Sequence, residues 1–234
     1  MAVSINDFVD NVRADVPMCP DPAIEDAIRD AITDFCKQTW IIQRDFVYNS
    51  VEGSTMEELD DASVIEFDGV TPTVPDVGMR PVVVIKVFVA STDTPTDFVP
   101  LALMSKSTLA TRPTQYWEVQ TTNGLPTAYF VVDNATIRVY PVPTINYFLA
   151  LRAAFKPKRD ASSFDNLLYD DWLEEICAGA KYRLFSKPSK PWTDYTVGMF
   201  ELGLFKRGIG KARILINNNF SSGDMGISLR SFTL

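Results

Sequence analysis

The sequence contains no histidine. Histidine is the commonest general base near neutral pH and the commonest transition-metal ligand. Its absence excludes Ser-His-Asp and Cys-His catalysis, His-containing zinc sites and facial triads. Cysteine is scarce, and Cys19, Cys36 and Cys177 are too scattered for a CxxC redox motif and too few for a four-cysteine zinc site. Disulfides are not required at this length, and cytosolic thiols stay reduced. No apolar run approaches the ~18 residues of a membrane-spanning helix. The opening Met1-Ala2-Val3-Ser4-Ile5-Asn6-Asp7 lacks the basic start and apolar core of a signal peptide. Neither a dinucleotide-binding nor a P-loop glycine pattern is present. The expectation is a soluble protein made in the cytosol, with no cofactor and no metal. An enzyme would have to rely on carboxylate, lysine or phosphate-cradle chemistry.

The 234 residues suffice for one large domain or two modest ones, and 46% hydrophobic with 22% charged residues is the balance of a packed chain rather than a disordered one. The formal net charge of −8 argues against non-specific phosphate binding by an overall basic surface. That charge is segregated. Residues 1–150 hold 9 Lys and Arg against 21 Asp and Glu, whereas residues 151–234 hold 13 against 9. Such a polarity gives the folded protein a field that orients it against its neighbours.

Hydrophobic periodicity divides the chain into three stretches. Ser4 with Asp7 forms a capping signal, and Ile5, Phe8, Val12 and Val16 follow at helical spacing until Pro17 and Pro20 stop them. Asp21 as N-cap with Pro22 as the first helical residue predicts a second helix to about Gln38, with the stripe Ile24, Ala27, Ile28, Ala31 and Phe35. From Trp40 to Phe155 the period changes to two, in residues that favour strands. Strands are predicted at 41–48, 63–67, 82–90, 98–100, 116–121, 128–132, 136–140 and 148–155, with a short helix at 104–111. Asp133-Asn134 marks a hairpin. One helix is then predicted through Leu168, Trp172, Ile176, Ala180 and Leu184, ending at Pro188. A longer helix follows from near Pro191 to about Asn218, roughly 40 Å at 1.5 Å per residue. Its predicted apolar stripe is Tyr195, Met199, Leu202, Phe205, Ile209, Ala212 and Ile216. Gly198, Gly203, Gly208 and Gly210 each cost about 1 kcal/mol there relative to alanine, which points to tight helix packing.

Few residues suggest chemistry. The acidic run Glu57, Glu58, Asp60 and Asp61 lacks calcium-loop spacing and reads as a solvated loop. The pairs Asp170-Asp171 and Glu174-Glu175 sit where a helix start favours negative charge, which explains them without acid–base catalysis. Lys206, Arg207, Lys211 and Arg213 form a basic strip along the last helix, without the exposed aromatics or motif of a nucleic-acid site. With Gly203 and Gly210, they make a candidate subunit interface. In the final residues Ile227, Leu229 and Phe232 alternate with Ser228, Arg230 and Ser231. Such a tail either folds back on its own sheet or adds to another protein's edge or groove.

Three segments together carry a family resemblance. They are the helix Ala27–Trp40 with its Phe35-Cys36…Trp40 end, the strand and turn Ile137-Arg138-Val139-Tyr140-Pro141-Val142-Pro143, and Asp171-Trp172…Ile176-Cys177-Ala178-Gly179-Ala180…Lys187-Pro188-Ser189-Lys190-Pro191-Trp192. In order and spacing the chain resembles the head-to-tail adaptor proteins of tailed bacteriophages, including the tail tubular protein A-like connectors. Residues 51–126 match nothing in that pattern. The resemblance implies a dodecameric ring docked beneath the portal, which extends the channel for double-stranded DNA and presents a platform to a downstream tail or nozzle protein. It also implies a place at the head–tail junction of the virion and no membrane partner. The tail residues Ile227, Leu229, Arg230 and Phe232 become a portal-binding arm.

The fold expected is α+β. A helical bundle from residues 1–39 and 157–220 carries an inserted antiparallel β-sandwich or barrel-like domain at 40–156 and an extended arm at 221–234. Two rival readings remain at this stage. One is a glycan- or ligand-binding β-sandwich using Tyr116, Trp117, Tyr129 and Tyr140, and the other a carboxylate-based glycosidase.

Overall fold

The computed structural model describes residues 2–50, 56–58, 79–91, 98–104, 124–131, 136–140 and 147–218. The strands expected at 63–67 and 116–121, the helix at 104–111 beyond Met104, and the arm at 221–234 lie outside those residues. The protein is a mixed helix and strand fold with a curled antiparallel sheet.

The first strand, β1 (Ala2–Ser4), leads directly into α1 (Ile5–Arg13). Ser4 accepts from the Asn6 amide at 3.3 Å while Asp7 accepts from the Ser4 amide at 3.1 Å, so the capping signal is realised on both sides. Helix α2 (Asp21–Thr39) begins one residue earlier than the sequence implied. Pro20 takes the extended backbone of the N-cap, with φ −70° and ψ 143°, which places Asp21 in the first turn and Pro22 second. Asp21 there pairs with Arg13 at 2.7 Å instead of capping. The helix stops where Trp40 turns left-handed at φ 57° and its amide donates to the Cys36 carbonyl at 2.9 Å.

One sheet runs in the order β2 (Ile42–Ser50), β9 (Tyr147–Pro157), β4 (Met79–Ser91) and β5 (Val99–Pro100), antiparallel throughout. Strand β9 is central, pairing Phe155 with Ile42 on one side and Leu149 with Val89 on the other. Its burial alternates along the first half and becomes continuous at Ala153, Ala154 and Phe155, and α2 packs against this strand. The β4–β9 register slips between Pro81 and Val83 and again between Val84 and Lys86. Such bulges bend a strand and increase its twist, which curls the sheet.

The other sheet has the order β3 (Met56–Glu58), β8 (Thr136–Tyr140), β7 (Ala128–Val131) and β6 (Ala102–Leu103). Here the all-antiparallel expectation needs correction, because β6 runs parallel to β7. The Ala102 amide donates to the Thr127 carbonyl at 3.0 Å, and the long connection between Leu103 and Ala128 is what a parallel crossover requires. Finally β10 (Ser163–Asp165) pairs with β1, bringing the start of the chain against the segment that follows the strands.

The single helix expected through Leu168 and Leu184 is two: α3 (Asn166–Asp170) and α4 (Leu173–Phe185). Trp172 leaves helical geometry at φ −131°, and its indole packs against Phe35 with ring centroids 5.3 Å apart. Helix α5 (Tyr195–Asn217) starts later than Pro191, at Asp194, whose carboxylate accepts from the amides of Thr196 and Val197 at 3.0 and 3.1 Å.

Helices from both ends of the chain meet around α4, which packs against α1, α2 and α5. Ile176 through Ala180 are buried without interruption, so α4 is covered on all sides. Phe35 joins the helices, touching Trp172 and, at 6.2 Å, Phe205. The sequence assigned tight packing to the glycines of α5, and the structure divides them. A Cβ on Gly208 would sit 2.2 Å from the Glu175 Cγ, and one on Gly198 would sit 3.3 Å from the Phe185 Cβ. In contrast, Gly203 and Gly210 face open space. Gly179 of α4, which the spacing did not flag, has the Phe205 ring 2.7 Å from its Cβ position.

Gly179→Ala and Gly208→Ala should therefore lose about 1–3 kcal/mol by overpacking, with Gly179 the more sensitive because an aromatic ring has little room to yield. Gly203→Ala and Gly210→Ala should instead stabilise the dispersed chain by about 0.5–1 kcal/mol each. Urea unfolding of the four variants measures both signs.

Candidate functional site

Helix α5 carries two faces. The buried one runs through Gly198, Phe205, Gly208, Ile209 and Ala212. The opposite face carries Phe200, Gly203, Arg207, Gly210 and Ile214, spaced 3, 4, 3 and 4 residues apart, the repeat of a helix seam. Phe200 is 66% exposed, Ile214 54% and the adjoining Met199 63%. Tyr195 and Met199 were expected in the core stripe and are exposed instead. Gly198 takes the inward position at this turn and lets the end of α4 approach, so Tyr195 and Met199 are turned outward.

Lys206, Arg207, Lys211 and Arg213 are all exposed along this helix. Two of them also make contacts within the chain. Lys211 lies 3.5 Å from Glu175, and the Arg213 Nε donates to the Gln38 carbonyl at 2.8 Å, tying α5 to the last turn of α2. Lys206 and Arg207 form no ion pair among the described residues. The structure thus brings Gly203, Lys206, Arg207, Gly210, Lys211 and Arg213 onto the outer side of one helix. Ile227, Leu229, Arg230 and Phe232 lie outside the described residues.

The carboxylate pairs do not converge. Asp170 accepts from the Asn166 side chain at 2.7 Å, Asp171 and Glu174 are exposed, and Glu175 lies over Gly208 beside Lys211. The paired, differently tuned environments of an acid and a base are not formed by these four. Glu57 and Glu58 fall in β3 with side chains outside the description, as are Asp60 and Asp61. Among the described residues no group of acids and cysteines is arranged to hold a metal ion. All three cysteines are free and buried, and burial pushes the Cys177 thiol up to about 12, so it is not a reactive thiolate. Tyr129 is only 3% exposed and cannot belong to a sugar-stacking platform, while Tyr116, Trp117 and the Tyr140 side chain lie outside the description. An open cavity of about 400 Å³ between the ends of α2 and α5 is lined by Lys37, Trp40, Arg213 and Ile216, and it contains no nucleophile–base pair.

The sequence reading missed Phe200 and Ile214 as surface residues. Their signal was the 3-4 spacing itself, hidden because the core stripe of the same helix lies so close to it in sequence.

The described residues therefore present an ordered set of helices with one exposed apolar and basic face. The sequence matches the family described as SU10 adaptor protein over residues 3–224, and the chain belongs to that family. No curated protein matches the chain. The family is one of structural phage adaptors, not a class of enzymes, and it implies a virion component assembled with portal and tail partners. No helix among the described residues is long and apolar enough to cross a membrane.

One electrostatic feature lies where α5 meets α4. Burial raises the Glu201 carboxyl above its ordinary value, although Lys181 opposes the shift. Burial also opposes charge on Lys181, but its ion pair with Asp15 more than compensates. A carboxyl raised by folding adds stability at low pH that is lost as pH rises through its folded value. Glu201→Gln should therefore raise the melting temperature at pH 7, and that gain should shrink as pH falls from the raised folded value toward the ordinary carboxylate range and be absent below it. Thermal unfolding of both proteins across pH 3–8 checks the direction.

Proposed function

We propose that the protein is a head-to-tail adaptor that forms a ring beneath the portal, extends the DNA channel and presents the docking platform for a downstream tail or nozzle protein. Family membership over residues 3–224 is the observation that carries this reading. In it, the helical part (residues 1–39 and 157–220) forms a bundle and builds the ring. The part at 40–156 is a sandwich-like domain, and the arm at 221–234 reaches the portal through Ile227, Leu229, Arg230 and Phe232. A dodecamer is the stoichiometry that the resemblance to known connectors implies.

The outer face of α5 supports the assembly part of the reading. Glycines with open space before them cost helix stability without serving the isolated fold, so a neighbour that approaches the backbone closely explains their place. The overall negative charge supports the channel part. A duplex slides past an acidic wall without the phosphate attraction that would hold it.

Electron microscopy of the protein mixed with portal from the same virus tests the reading. Rings should appear on the portal. Removing residues 221–234 should weaken portal attachment while leaving rings intact. Gly203→Leu with Gly210→Leu should leave the chain folded by circular dichroism but abolish rings. A chain that stays monomeric and ignores assembled portal would end the proposal.

A further inference from the structure

The basic face of α5 has a counterpart on the same molecule. Residues 5–39 carry eight acids against three bases, Arg13, Arg29 and Lys37. Asp7, Asp10, Asp15, Asp21, Asp26 and Asp30 are exposed there. Arg13 answers Asp10 and Asp21, Arg29 answers Glu25 and Asp26, and Lys181 answers Asp15, yet the flank keeps a surplus of acid. Met18, in the turn between α1 and α2, is 69% exposed and gives this acidic flank an apolar knob. Helix α5 has four bases and a single acid, Glu201. Its outward side adds Met199, Phe200 and Ile214, with Gly203 and Gly210 as the low points between them.

We propose that the outer face of α5 docks on the acidic α1–α2 flank of a second copy of this chain, in a head-to-tail contact. The inference rests on the ring reading above and names the two surfaces that meet. Pairing α5 with its own copy would set Lys206 and Arg207 against the same charges, and pairing α1–α2 with itself would oppose carboxylates. Of these three pairings, only the unlike one is attractive in sign. It also adds burial of Met199, Phe200 and Ile214 to the charge pairing, with Arg207 lying between Phe200 and Ile214 along the face. A contact between different patches leaves one of each unused at the ends of a pair, so further copies add until a ring closes. Committing the α1–α2 flank to this contact leaves residues 40–150 with 13 acids against 6 bases. Phosphate would suit the lysines and arginines of α5 but not Phe200 or Ile214, which favours a protein neighbour over nucleic acid.

Charge reversal separates the outcomes. One variant carries Lys206→Glu and Arg207→Glu, the other Asp10→Lys, Asp26→Lys and Asp30→Lys, and circular dichroism verifies that each folds. Analytical ultracentrifugation, with portal present if wild type requires it, should show each variant alone associating at least about tenfold more weakly than wild type. An equimolar mixture should recover assembly, because the reversed faces complement each other. Wild-type association should weaken with salt. If either variant assembles like wild type, or the mixture fails to recover, the pairing proposed here is wrong while the ring reading stands. A wild type that never assembles, with or without portal, overturns the ring reading itself. Tight duplex DNA binding lost on Lys206→Glu and Arg207→Glu, with assembly unchanged, would reassign the face to nucleic acid and overturn the pairing.

Discussion

The close approach of α4 and α5 is the constraint on which the rest of the helical architecture depends. Gly179 admits the Phe205 ring, Gly208 admits the Glu175 stem and Gly198 admits the end of α4 around Phe185. Each of these glycines weakens its helix by about 1 kcal/mol relative to alanine, so only packing offsets the cost. With the two helices so near, Phe205 reaches Phe35 of α2, and residues from opposite ends of the sequence share one core. The same contact fixes the rotation of α5 about its axis. That rotation decides that Phe205 and Ile209 point inward and Phe200 and Ile214 outward. The exposed face is thus a consequence of internal packing.

Ion pairs set the arrangement of elements more than they stabilise it. Arg183 reaches from α4 to Asp34 of α2, Lys181 to Asp15 after α1, and Arg44 of β2 to Asp165 of β10. Arg152 grips Asp45 with two bonds of 2.7 Å across the β2–β9 pair, but Asp45 is largely exposed. Pairs of this kind contribute about 0–1 kcal/mol each in water. Their value lies in register. Each links elements far apart in sequence and penalises a slipped arrangement, while burial of side chains such as Phe8, Phe35, Leu149 and Phe164 supplies the driving force.

Local signals were the legible part of the sequence. Ser4 with Asp7 announced α1, the Thr136–Tyr140 strand was read at its true bounds, and the stripe from Ile24 to Phe35 is buried as its period implied. Failures came where tertiary packing outweighed period. Leu168, Trp172 and Ile176 keep a spacing of four, yet the helix breaks at Trp172 so that its indole can lie on Phe35. Tyr195 and Met199 keep helical spacing with Phe205, yet Gly198 claims the inward position. The parallel β6–β7 pairing depends on a long-range crossover that period-two alternation does not encode. For the candidate site, the lysines, arginines and glycines of α5 were legible as a strip, but the apolar half of that face was not. A helix with apolar residues on two sides presents two overlapping stripes in sequence, and only the position of its neighbour tells which is the core.

A structural adaptor works by holding neighbours in position, and this chain's chemistry suits that task. It has no histidine to titrate near neutral pH, and its buried thiols are held protonated. The lysines and arginines on α5 and most of the aspartates on α1 and α2 are exposed. Specificity built on such surface charges is sensitive to ionic strength, whereas apolar burial retains affinity when salt rises. A surface that combines Phe200 and Ile214 with Lys206 and Arg207 therefore separates two demands. In the contact proposed between copies, charge selects the partner and its orientation during encounter, and apolar burial keeps the joint closed afterwards.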